Sequence, residues 1–127
     1  MTSLAQGIRT IGFRKWYERR LLTGHAHLAL VLLLVIGTMM ALEAGSRFAT
    51  PQERLFDWAV ALACAMGALW ALRRYLYLLT QAEELANQAN CPQCGAYGRL
   101  ELVQSDARGD HVTVQCRQCG HRWPMGV

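Results

Sequence analysis

Two stretches of this chain lack the polar punctuation of a water-soluble fold. From Gly24 to Leu42, 19 residues run without Asp, Glu, Lys or Arg, and from Trp58 to Leu72 another 15 do. A helix needs about 20 mostly apolar residues to cross a hydrocarbon core of about 30 Å, and His25–Ala44 meets that length. The second run alone would cover only about 22 Å at 1.5 Å per residue. Extended from Leu55 to Leu76 it spans, with Asp57 at one interface and Arg73 and Arg74 snorkelling at the other. Trp58 and Trp70 fall near its two ends, where an aromatic belt places such rings. A soluble core helix is the competing reading, but the rest of the chain is too short to cover both runs. A secretory signal is the other competitor for the first run. Its n-region is long and its best cleavage site, Leu42-Glu43-Ala44, is poor, so a retained span is expected.

The start of the second helix is well marked. Thr50-Pro51-Gln52-Glu53 offers a capping hydroxyl, proline at the first helical position and Glu three residues past the cap. Apart from Gly67, no Gly or Pro follows until Pro92, which predicts one helix from Pro51 to about Gln88. It would be about 57 Å long, enough to cross a bilayer and continue as a stalk. Beyond it the period changes to that of strands. Arg99–Gln104 and His111–Cys116 alternate, with a Ser105–Asp110 turn between them, and Leu100, Leu102, Val112 and Val114 fall on one face for Tyr97 and Trp123 to cover.

Charge then orients the helices. Of the net +4, residues 1–23 hold +4 through Arg9, Arg14, Lys15, Arg19 and Arg20 against Glu18. Arg73 and Arg74 follow the second run, whereas the Gly45–Thr50 loop holds only Arg47. By the positive-inside rule both termini are cytoplasmic and the loop is external, which in a bacterium makes this an inner-membrane protein with a periplasmic loop. Arg14, Lys15, Trp16, Arg19, Arg20, Trp58, Trp70, Arg73 and Arg74 are the expected interfacial anchors. Ser3-x-x-Gln6 caps a short helix running to about Leu22. On a helical wheel from Ile8 to Leu22 the apolar residues gather on no single face, so a basic, aromatic juxtamembrane anchor is expected rather than an amphipathic surface helix.

Small residues recur every fourth position at Ala59, Ala63, Gly67 and Ala71, with Cys64 and Ala68 beside them, and at Gly37, Ala41 and Gly45. Such faces let helix backbones approach closely where no water is expelled, either within the hairpin or against a partner. No acidic or basic group lies at mid-depth, which argues against a transporter or channel. His25 and His27 lie 200° apart on the helix at its cytoplasmic edge and read as interfacial histidines, not as haem or pigment ligands.

The chemistry is concentrated in four of the five cysteines. Cys91-Pro-Gln-Cys94-Gly95 and Cys116-Arg-Gln-Cys119-Gly120 are separated by 21 residues. A two-residue spacer lets one tight turn aim two sulfurs at one point, and the following Gly permits a positive φ. A tail this small cannot sustain a core unaided. Zinc can supply about 10–16 kcal/mol of apparent binding energy as folding energy, and a reducing cytoplasm disfavours disulfides.

In its CPxCG and CxxCG knuckles and their spacing, the segment 90–125 resembles the zinc-ribbon family. The resemblance implies Cys91, Cys94, Cys116 and Cys119 as ligands of a structural zinc, and implies no activity, because ribbons serve many proteins. The expected fold is an all-α two-helix transmembrane hairpin with a small C-terminal β zinc ribbon. Its parts are a juxtamembrane segment (1–23), a first span (24–44), an external loop (45–50), a second span with its stalk (51–89) and the ribbon (90–127).

Four thiolates close the metal shell and leave no place for an activated water, and no catalytic constellation appears elsewhere. The expected function is non-enzymatic: an accessory or interaction subunit held in the lipid bilayer within a larger membrane complex, with no small-molecule substrate evident. A membrane-tethered nucleic-acid binder is the first alternative. Arg99, Arg108, Arg117 and Arg122 are available, but the tail's formal +1 falls to about −1 with four thiolates and Zn²⁺ counted, which disfavours phosphate binding. The second alternative is rubredoxin-like electron transfer with iron in the same sulfurs. It is weakened by Arg117 where a second CPxCG would place proline, and by sparse aromatics.

Overall fold

A computed structural model describes residues 3–47 and 50–127. Its elements are α1 (Leu4–Ile11), α2 (Phe13–Arg47), α3 (Pro51–Gln88), β1 (Leu100–Ser105), β2 (His111–Cys116) and β3 (Arg122–Gly126). The strands form one antiparallel sheet in the order β1-β2-β3. The chain divides into two compact units, residues 23–77 and, from both chain ends, residues 1–22 with 78–127. Phe48 and Ala49 of the expected loop lie outside the described residues, and its flanks are helical to Arg47 and from Pro51.

The unit 23–77 is a pair of helices long and apolar enough to span a membrane. Within their most apolar windows only 6% of α2 and 17% of α3 is buried by the rest of the chain. The start of α3 forms as its sequence dictates. The Thr50 hydroxyl accepts from the Glu53 amide at 3.3 Å, and Glu53 Oε2 accepts from the Thr50 amide at 2.8 Å.

The face along which α3 is buried departs from the expected four-residue stripe. Between Asp57 and Tyr75 its buried and half-buried positions include Asp57, Ala61, Cys64, Ala68, Ala71 and Tyr75, at alternating steps of four and three, with Gly67 and Arg74 half-buried beside them. Ala59 and Ala63 are exposed. A step of four residues advances about 400° around a helix, so Ala59 has drifted about 120° from Ala71 over three steps, whereas a 4-3 alternation keeps one seam. The α2 glycines do meet this seam: a Cβ on Gly37 would lie 3.7 Å from Cys64 Sγ, and one on Gly45 3.2 Å from Asp57 Cβ. Gly67 faces Leu34, and Ala41 is half-buried. Trp58, Trp70 and Arg73 are exposed, and Arg74 is half-buried with its guanidinium 5.5 Å from the centre of the Tyr77 ring.

The second unit holds the sheet, and its core includes residues from the N-terminus. Ser3 caps α1, its Oγ accepting from the Gln6 amide at 3.4 Å. The helix does not run to Leu22, because Gly12 adopts φ +83° and separates α1 from α2. A wheel from Ile8 to Leu22 crosses that break and superposes two helices, so no single apolar face appears on it. In α1 alone, Leu4, Ala5 and Ile8 are buried and Ile11 packs beside them. They join Phe13, Trp16, Leu85, Ala89, Leu100, Val112, Val114, Trp123 and Met125 in one apolar cluster. Trp16 is therefore corrected from an interfacial anchor to a core residue, 4% exposed against Gly7 of α1. Arg20 is also turned inward, 5.4 Å from the Trp16 ring centre and donating to Gln81 Oε1 at 2.9 Å. Arg14, paired with Glu18 at 3.4 Å, stays at the surface with Lys15 and Arg19.

Candidate metal centre

The two cysteine knuckles repeat one backbone device. In the first, the Cys91 amide donates to Ala96 O at 3.0 Å and the Gly95 amide to Cys91 O at 2.9 Å. In the second, the Cys116 amide donates to His121 O at 2.8 Å and the Gly120 amide to Cys116 O at 3.0 Å. Gly95 and Gly120 take φ +73° and +76°, the left-handed geometry that a side chain would resist. The first knuckle follows α3 directly. The second begins at the last residue of β2, where Cys116 pairs with Leu100 of β1. The sheet register thus brings the two turns together.

All four sulfurs lie within 4.8 Å of one another. Cys91 Sγ is 3.4 Å from Cys119 Sγ, and Cys94 Sγ is 3.6 Å from Cys116 Sγ. Four thiolates at about 2.3 Å from a tetrahedral ion are about 3.8 Å apart, so the set fits a metal ion. Cys91 and Cys116 are buried while Cys94 and Cys119 are exposed, so one side of the cluster belongs to the core and the other to the surface. The Gln118 amide approaches Cys116 Sγ at 3.4 Å, placing partial positive charge on a would-be thiolate.

The thiols are not equivalent. The Cys119 backbone amide, opposed by burial and helped by the Gln118 amide, lowers Cys116 to about 6. Cys119 is raised to about 12: the His121 amide favours its thiolate but is outweighed by burial and by the three neighbouring thiols. Cys91 is lowered, burial being outweighed by the amides of Cys94 and Gln93. Cys94 is raised, because burial and its thiol neighbours overcome the Ala96 amide. Crowded sulfurs hold protons that an ion would displace. Cys64 lies on the α3 helical seam, outside the cluster.

Around the centre the sheet is more complete than the alternation implied. The third strand, β3, pairs with β2 from His111↔Gly126 to Gln115↔Arg122. Pro124 hid it in the sequence, yet proline is tolerated on an edge strand. Trp123 covers the apolar face as expected and donates its indole N–H to Gln88 O at 2.9 Å. Tyr97 does not cover it: the ring is exposed, its backbone bridging Asn90 instead. Leu4, Ile8, Phe13 and Trp16 contribute to the core instead.

Two further residues support the unit: Gln88, which carried no sequence signal, and Asp106, in the expected Ser105–Asp110 turn. The Gln88 carboxamide acts like a backbone unit toward Gly126, donating to its O and accepting from its N, both at 2.9 Å. Asp106 Oδ1 gathers the amides of Gly109, Asp110 and His111, closing the β1–β2 turn. Against protein-family models, curated proteins and solved structures, the chain gives no match.

Proposed function

We propose that this chain is a two-pass membrane protein carrying a cytoplasmic, zinc-clamped ribbon, and that it serves as a non-enzymatic accessory subunit of a larger membrane complex. The observation that carries the reading is the convergence of four sulfurs in a small sheet tied to the end of a long, apolar and mostly uncovered helix. A closed thiolate shell suits a structural ion, and zinc is the natural occupant of a four-cysteine set. Residues 1–22 and 78–127 share one unit, which supports both termini lying on one side of the bilayer. The basic residues before the first span and after the second select the cytoplasmic side.

The test is isolation of the full chain from native membranes in mild detergent. The expected result is a colourless assembly larger than the chain, with one zinc per chain. A lone monomer in several detergents overturns the subunit reading, and a red iron–thiolate spectrum overturns zinc in favour of electron transfer.

A further inference from the structure

The Ser3-x-x-Gln6 cap announces the N-terminal helix, and nothing in the sequence ties that helix to the ribbon unit. Its apolar residues Leu4, Ala5 and Ile8 are buried in the same cluster as Cys91 and Cys116. The Ala5 amide donates to Gly109 O, in the β1–β2 turn, at 3.0 Å. On its other side Gly7 lies so close to Trp16 that any Cβ there would overlap the indole. Gly12, at φ +83°, is the joint between this helix and α2. Helix α1 has only eight residues, too few to persist alone in water.

We infer that α1 is a strap whose docking is thermodynamically coupled to metal binding at the four cysteines. The platform it lies on is the sheet, and an ion held by the four cysteines would tie that sheet to the end of α3: Cys116 ends β2, and Cys91 follows the end of α3. Without the cross-link, this small sheet loses the constraint that holds its apolar face toward α1. The helix then swings free at Gly12, while α2 from Thr23 onward, paired with α3, keeps its own structure. Coupling of this kind is reciprocal. Whatever metal contributes to α1 docking, α1 docking returns to metal affinity. Ile8 is thus a positioning residue for a metal site that it does not touch. The inference rests on the four thiolates binding an ion, and not on the proposed membrane complex.

The full chain in lipid nanodiscs provides the test, with metal content measured first. With one zinc bound, the amides of α1 are expected to be protected from hydrogen exchange. Chelation should strip protection from α1 and the three strands together while the 24–44 segment of α2 retains it. In competition with a chromophoric chelator, Ile8→Ser should weaken zinc binding about tenfold, within the usual range of coupling between sites. Ile8→Val should restore it, and Arg9→Ser, on the exposed face of the same helix, should leave it unchanged. Protection of α1 that survives chelation overturns the strap, as does equal zinc affinity in Ile8→Ser and Arg9→Ser. A chain that takes up no zinc at all fails at the first measurement and overturns the thiolate reading together with the strap.

Discussion

At the residue scale the four sulfurs differ in how they part with their protons. In the metal-free cluster Cys94 is raised and Cys119 stands at about 12, so both are protonated at neutral pH, whereas Cys116, at about 6, is mostly thiolate. Metal binding at pH 7 is therefore expected to release at least two protons, and the affinity to rise with pH by about two orders of magnitude per unit or more. Calorimetry in buffers of differing ionisation enthalpy reads that number directly. Asp106 supplies a second prediction. Burial is outweighed by the amides of Gly109, His111 and Asp110, so its carboxyl is held below the usual range. A lowered pKa stabilises the fold above the ordinary carboxylate pKa, and the benefit is lost only as pH falls through the lowered value. Asp106→Ala should thus reduce the melting temperature of the zinc-loaded chain at neutral pH, and the difference should shrink as pH falls through the lowered carboxyl pKa, as followed by circular dichroism. Gln88→Ala removes both hydrogen bonds to Gly126, and about 1–3 kcal/mol of stability with them. Faster amide exchange along β3 is the readout.

At the scale of elements, the legible parts were those whose cause is local. The Thr50 capping box and the two knuckles are written in adjacent residues, and each forms where its sequence places it. The parts that stayed hidden are set by contacts between distant residues or by one backbone angle. Gln88 works through a side chain imitating a strand, which no spacing encodes. The break at Gly12 depends on a positive φ, and Pro124 masks an edge strand whose partner decides its fate. The small-residue stripe of α3 meets the buried seam at Gly67 and Ala71 but leaves it at Ala59 and Ala63, because a four-residue spacing drifts around a helix. This distinction is measurable. Ala71 is fully buried, so Ala71→Leu should overpack the seam and cost about 1–3 kcal/mol, whereas Ala59→Leu, on an exposed face, should cost little. Unfolding of the helical pair by titrating a denaturing detergent into mild micelles would separate the two.

For the molecule as a whole, metal and apolar surface act on different parts. Chelation, or Cys94→Ser, should abolish protease resistance in the tail while far-UV circular dichroism retains most of its helical signal, because residues 23–77 of α2 and α3 form a unit apart from the cysteines. A tail that resists protease without metal would remove the structural role of the ion. The ribbon unit also takes its core from both chain ends, and this sets an order of events during synthesis. Ala5 meets Gly109 only after about a hundred further residues have been made, a closure whose entropic cost grows slowly with length. On the ribosome, the Leu4–Ile11 helix must therefore wait, its apolar side unmatched, until β1, β2 and the turn between them have been made. A nascent chain arrested before Cys116 should leave that helix open to proteases or chaperones, and completion of the sheet is the moment at which two segments about a hundred residues apart first meet.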